Sequence, residues 1–296
     1  MAETSLRQAD ADVNSVGVVS EKKLEVKTED GKTSISGYVT IKTSDVNFIR
    51  YNVNVNEKTK SGSDNRAYAG IMTVMNEYKS IAEAGEENAD KVRVNGNMNP
   101  YHSIQDNSDV MAYRANFFNR IKADEEYEPR AEFEVEIYIS AIMPEMNTDG
   151  EETGRVIVSG WIPRYDNGIE PIKMVAEGEV ASAIDSMYEP GQTVRFFGDV
   201  INNRITKVIP IPVAIGKPKT KTKTEFKNEL IITGASEAYE EGVSENPPYD
   251  TATIKAAIQE RENRIAEIKA KAASGSTGKT NNARPSAAAH GRTLGF

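Results

Sequence analysis

Between residues 33 and 212, apolar and polar residues alternate in ten short runs, and the runs form two sets with the same internal order. A period of two marks half-buried strands. The first set is TSISGYVTIK (33–42), VNFIRYNVNVN (46–56), AYAGIMTVM (67–75), KVRVNG (91–96) and DVMAYRANFF (109–118). The second is EFEVEIYISAI (132–142), GRVIVSGWIP (154–163), GIEPIKMVA (168–176), QTVRFFGDVI (192–201) and NRITKVIPI (203–211). Each set carries one short helical stretch after its third run, YKSIAEAG (78–85) and EVASAIDSMY (179–188).

The two sets also share residues. Val92-Arg93-Val94-Asn95-Gly96-Asn97 aligns with Val194-Arg195-Phe196-Phe197-Gly198-Asp199 at an offset of about a hundred residues. Three strands, a helix and two strands is the order of the OB-fold, a five-stranded Greek-key barrel. Two unrelated small barrels or one β-sandwich would also accommodate the runs. The expected architecture is mainly β: two tandem OB-fold-like five-stranded barrels, a C-terminal α-helix and a disordered tail. The expected boundaries are a flexible N-terminus (1–20), a first barrel (21–125), a second barrel (126–216), a linker (217–250), a helix (251–273) and a disordered basic tail (274–296). The linker is lysine-rich, then acidic, with one candidate strand at ELIITG (229–234).

Asp250 is placed to cap the helix. Ile254, Ile258, Ile265, Ile268 and Ala272 form one apolar stripe along it, interrupted by Arg261. Such a stripe either lies on a barrel or pairs with a second copy as a homo-oligomer. The tail is rich in Gly, Ser and Ala and buries too little apolar surface to offset its ordering entropy.

Catalytic chemistry finds little support. There is no cysteine, and only two histidines, His102 and His290, stand far apart. That argues against a thiolate zinc site or a serine–histidine triad and fits a reducing cytoplasm. Ser276-Thr277-Gly278-Lys279-Thr280 resembles the end of a phosphate-binding loop, but Ala273 stands where the first glycine belongs and a helix precedes the stretch. Glu132, Glu134 and Glu136 alternate along one strand face, and Glu25-Val26-Lys27 faintly resembles a nuclease element. Alternating acids are more simply the solvated side of a strand. No catalytic residue, metal or cofactor is expected. No apolar run approaches the ~20 residues of a membrane span, and the polar N-terminus has no signal-peptide character.

The net charge of −9 argues mildly against nucleic acid, but the cations are clustered: KPKTKTKTEFK (217–227) holds five lysines and one glutamate. Alternation also sorts the strand residues into faces. It places Tyr38, Lys42, Phe48, Arg50 and Arg93 outward in the first set. In the second set Arg155, Trp161, Lys173, Arg195 and Phe197 point outward. Aromatic rings interleaved with cations on an open sheet suit single-stranded nucleic acid, with bases stacking and cations following the backbone. The same rings would also serve to cover a neighbouring domain or the C-terminal helix. Lys217, Lys219, Lys221 and Lys223 read as a backbone clamp or as a soluble linker.

GWIPRYDNGIEPIKMVAEGEVA, YEPGQTVRFFGDVIN, EFKNELIITGASEAYEEG and IKAAIQERENRIAEIKAKA resemble phage-type single-stranded DNA-binding proteins over about residues 130 to 272. The resemblance implies OB-fold barrels with a trailing helix and non-catalytic coating of single-stranded DNA. It places that role in phage replication or recombination, in the host cytoplasm and beside other proteins of those processes. Many bacterial single-strand binders end in an acidic tail with a terminal aromatic. Here the chain ends Arg292-Thr293-Leu294-Gly295-Phe296 without acid nearby, so the resemblance does not extend to recruitment by that route. The alternatives from other classes are a phage assembly protein using the barrels for protein contacts, and a metal-dependent nuclease.

Overall fold

A computed structural model describes residues 6–122, 124–165, 167–211, 219–244 and 246–273. In the first half, β1 (Ala11–Glu29), β2 (Lys32–Lys42) and β3 (Phe48–Asn56) precede the helices α1 (Arg66–Glu77) and α2 (Ile81–Ala84). Then come β4 (Lys91–Met98), a small hairpin of β5 (Tyr101–Ser103) and β6 (Ser108–Val110), and β7 (Tyr113–Arg120). In the second half, β8 (Arg130–Met146), β9 (Glu152–Pro163) and β10 (Ile169–Ala176) precede α3 (Gly178–Met187). They are followed by β11 (Thr193–Ile211), β12 (Lys219–Ala235) and α4 (Thr251–Ala273).

Pairing closes two rings of five strands. One runs β1–β2–β3–β7–β4 and back to β1, the other β8–β9–β10–β12–β11 and back to β8. In each ring only the third and fifth strands are parallel, β3 with β7 and β10 with β12. That is the OB topology twice. The two first strands also pair antiparallel, Ala11 opposite Val135 through Val16 opposite Arg130, so one sheet runs through both barrels. The inward residues are those that alternation selects: Ile35, Val39, Ile41, Ile49 and Tyr51 in the first barrel, Ile137, Val158, Met174, Val194 and Phe196 in the second. The buried hydroxyl of Tyr51 is satisfied by Ser15 Oγ at 2.7 Å.

The hexapeptide repeat marks the fourth strand of each barrel. Each copy carries a bulge at its glycine, between Asn95 and Gly96 against β7 and between Phe197 and Gly198 against β12. A side chain at Gly96 would meet the Arg114 carbonyl oxygen, and one at Gly198 the Ile231 carbonyl oxygen. Both glycines are thus required by close approach of the fifth strand.

Several expected elements differ. Residues 11–20 are not flexible but begin β1, the strand that joins the barrels. Its core positions include Ser15, whose hydroxyl reads as loop and is buried only because Tyr51 satisfies it. The run 67–75 is helix, not strand: Asn65 caps it, and Ile71, Val74 and Tyr78 bury one helical face. Residues 109–118 divide into β6 and β7. The runs 192–201 and 203–211 form one continuous strand, β11. The fifth strand of the second barrel is β12, which starts inside the lysine-rich stretch read as a linker. Within that stretch this strand of a two-stranded ribbon buries neither face and has no apolar period, so its only strand signal is the Thr–Lys alternation. Lys217 and the tail 274–296 lie outside the described residues.

Asp250 caps α4, accepting from the Thr253 amide at 2.8 Å. Those bonds hold its carboxyl below the usual carboxylate range. Ile254 and Ala257 bury the first turns of the helix, while Ile268 remains exposed. No helix among the described residues is long and apolar enough to cross a membrane.

Candidate nucleic-acid interface

In the second barrel, β9 and β10 set Trp161 opposite Pro171 and Ser159 opposite Lys173. These four residues form one wall of a cleft of about 730 Å³ between the barrels. Met111 and Tyr113 of the first barrel line the other side, and Asn202, Asn228 and Glu229 line the root of the β11–β12 ribbon. Trp161 is half-buried and Lys173 exposed. Arg261 of α4 closes one end, bonded to Glu170 at 2.9 Å and Asp109 at 2.5 Å, with its guanidinium 6.0 Å from the Trp161 ring. Burial pushes the Glu170 carboxyl up despite Arg261 beside it. The helix therefore covers part of this aromatic surface and leaves the cleft as the accessible part.

Beyond Asn202 and Asn228 the ribbon is a two-stranded arm. Residues directly opposite on paired strands share a face. Lys207 lies opposite Lys223, Ile209 opposite Lys221 and Ile211 opposite Lys219, so four lysines occupy one face. Glu225 is on that face too and pairs with Lys207 at 2.6 Å and Lys223 at 3.0 Å. From residue 203 to 227 the cations are Arg204, Lys207, Lys217, Lys219, Lys221, Lys223 and Lys227, against the single carboxylate of Glu225. The other face carries Phe226, 69% exposed and directly opposite Arg204. Sequence reasoning missed both Phe226 and Lys207: Lys207 lies in the run 203–211 but gains its lysine neighbours only through pairing with β12, and Phe226 lies outside the alternating runs.

The outer face of β2 and β3 brings Tyr38, Lys42, Phe48 and Arg50 together, with Lys42 opposite Phe48. Arg50 stacks over Tyr38 at 3.6 Å, and the Tyr38 hydroxyl donates to Glu21 at 3.0 Å. Lys42 is held by Glu86 at 2.6 Å and Asp45 at 3.3 Å.

The remaining sequence-selected cations are engaged by carboxylates. Arg93 pairs with Glu125 at 2.7 Å. Arg155 is bracketed by Glu145, Glu177 and Glu229 at 3.2, 3.0 and 2.7 Å. Burial alone would raise the Glu229 carboxyl, but Lys227 and Arg155 hold it below the ordinary range. Arg195 bonds Asp10 at 2.6 Å and Glu134 at 3.0 Å.

Phe197, 39% exposed, borders a small acidic hollow with Glu132, Glu134 and Asp199. Burial and then Glu132 push the Asp199 carboxyl up. The structure does not bring Arg195 and Phe197 to the cleft that holds Trp161 and Lys173, because β11 borders β8 and β12 rather than β9. The acidic face of β8 is also not simply solvated. Glu132 and Glu134 are exposed, whereas Glu136 is fully buried under Arg7 at 2.6 Å. Among the described residues, no group of three or more His, Asp or Glu is arranged to hold a metal ion.

A search of curated proteins gives no match. Solved structures that the chain resembles include two of the single-stranded DNA binding protein from Thermus aquaticus. A deletion mutant of that protein shares 11% identity, with a TM-score of 0.48, covering 81% of this chain and 99% of that one. The wild-type protein shares 8% identity, with a TM-score of 0.45, covering 81% and 98%. The YorF family matches residues 10–271, nearly the whole of both barrels and α4, and the chain belongs to that family.

Proposed function

We propose that the protein binds single-stranded DNA without catalysis. Bases stack at Trp161 in the cleft and on the Tyr38–Phe48 surface, and phosphates follow the lysine face of the ribbon. The observation that carries this reading is the ribbon itself: Lys207, Lys219, Lys221 and Lys223 share one exposed face whose root opens into the cleft holding Trp161. OB barrels bind oligonucleotides on the second and third strands and through the loop joining the fourth and fifth. Trp161 and Lys173 occupy the first of these places in the second barrel, and the ribbon occupies the second. On this reading the protein coats single strands during phage replication or recombination in the host cell, beside other proteins of those processes.

Labelled oligo-dT titrated with protein tests the reading by anisotropy, with RNA and duplex DNA as comparators. Affinity should fall as salt rises, with a log–log slope of about −0.7 per phosphate neutralised. Trp161→Ala should weaken binding by about 1–3 kcal/mol, the size of one base–aromatic stack. Phe197→Ala, set apart in the acidic hollow, should change it little. Val208 and Phe226, 64% and 69% exposed on the ribbon, favour a second reading as an assembly protein using the arm for protein contacts. In that case the chain would self-associate in sedimentation and leave oligo-dT free.

A further inference from the structure

The ribbon leaves the second barrel beside the loop that joins β2 and β3 of the first. That loop is fixed from within: the Thr43 amide donates to the Asn47 carbonyl at 3.0 Å, and the Asn47 amide to Ser44 Oγ at 3.0 Å. From this turn the Asn47 side chain reaches β11 and bonds its backbone in both senses. Its Nδ2 donates to the Val200 carbonyl at 3.0 Å, and its Oδ1 accepts from the Asn202 amide at 2.7 Å. The Arg204 amide donates to the Val46 carbonyl at 2.7 Å, and Asn47 forms an antiparallel bridge with Asn203. A carboxamide suits this pairing, its NH2 donating while its carbonyl accepts. Past this point none of the described ribbon residues is buried, and all but Ile205, Thr224 and Glu225 are exposed, so its root is where its direction is set.

We propose that Asn47 of the first barrel is the positioning residue for the basic ribbon of the second. It aligns the ribbon so that a single strand leaving the Phe48–Arg50 face continues onto Lys219, Lys221 and Lys223. Phe48 is the next residue in the chain, so the two tracks meet at this bond. The inference rests on the DNA-binding reading above and adds that the barrels act on one strand in register.

A double-mutant cycle tests it. The probe is labelled oligo-dT of about 35 nucleotides, enough for two barrels at up to about 16 each. Asn47→Ala should lower affinity about tenfold and flatten the salt slope by about one phosphate contact or more. In a background already carrying Lys219, Lys221 and Lys223 as alanine, it should cause no further loss. Asn47→Asp keeps the acceptor but turns a carboxylate oxygen toward the Val200 carbonyl and adds a negative charge beside the strand path, so it should bind at least as weakly as Asn47→Ala; run through the same cycle, it also stands in should Asn47→Ala fold poorly. An equal loss in both backgrounds, or no loss in the native one, would overturn the inference while leaving the DNA-binding reading intact. Oligo-dT binding unaffected by the three lysine changes would overturn the ribbon's role and this inference together.

Discussion

Replacing Lys219, Lys221 and Lys223 together with alanine should lower affinity for oligo-dT by about 10- to 100-fold at low salt. Each cation that neutralises a phosphate releases counterions, and for single strands contributes about −0.7 to the log–log salt slope. Removing three should therefore shrink the slope by about 2, as read by titrations at several salt concentrations. These side chains are exposed on an arm that forms no part of either core. The melting temperature should stay within a degree or two, because surface substitutions of this kind change stability by only about 0.5 kcal/mol. Arg155 and Arg195 predict a contrasting result. Each is held by carboxylates on both sides, so alanine there should disturb the fold more than the salt slope.

Glu136→Ala should destabilise the fold by about 3 kcal/mol, toward the lower end of the range for breaking a buried ion pair. Its side chain is fully buried, and the partner Arg7 is 28% exposed, which reduces the effect. Three separate stretches meet at this carboxylate. The Glu136 amide donates to the Asp10 carbonyl, and Arg7 donates to Glu136 at 2.6 Å and to the Pro247 carbonyl at 3.2 Å. The Arg7 guanidinium stacks 4.6 Å from the Tyr249 ring, and the Tyr249 amide donates to Thr193 at 2.8 Å. Burial, with Glu136 nearby, pushes the Tyr249 phenol well above its ordinary range.

Removing the carboxylate leaves Arg7 without its principal partner and frees the segment that leads into α4. Urea unfolding would read the loss, and hydrogen exchange should rise first in residues 236–250. Replacing Arg7 and Glu136 together with leucine should recover part of the stability, since much of the cost lies in leaving the partly buried Arg7 without its carboxylate.

The two barrels were legible because their strands bury one face, which writes a period of two into the sequence. The repeat at 92–97 and 194–199 was legible for a harder reason: the bulge under Gly96 and Gly198 admits no side chain. The lysine-bearing strand of the ribbon, unlike its partner at 203–211, was not legible as a strand, because nothing on it between residues 219 and 228 is buried. The run 67–75 is almost wholly apolar or small, so over nine residues it shows no decisive period, and the helix is marked only by the Asn65 cap and the spacing of Ile71, Val74 and Tyr78. For the interface, alternation turned Lys173 out to solvent, while Trp161 is half-buried and packs against the edge of the core. It carries no information about which outward residues meet. That depends on strand order around the ring, which separates β9 from β11, and on distant carboxylates such as Asp10 and Glu229 that neutralise arginines the sequence showed as free.

Trp161 is the only tryptophan, so its emission reports on the cleft alone. Titrating the protein with oligo-dT at low salt should quench that emission to saturation, and added salt should restore it. Oligo-dT that binds by anisotropy while Trp161 emission stays constant, or that does not bind at all, would contradict the assignment of the cleft and ribbon as the single-strand path.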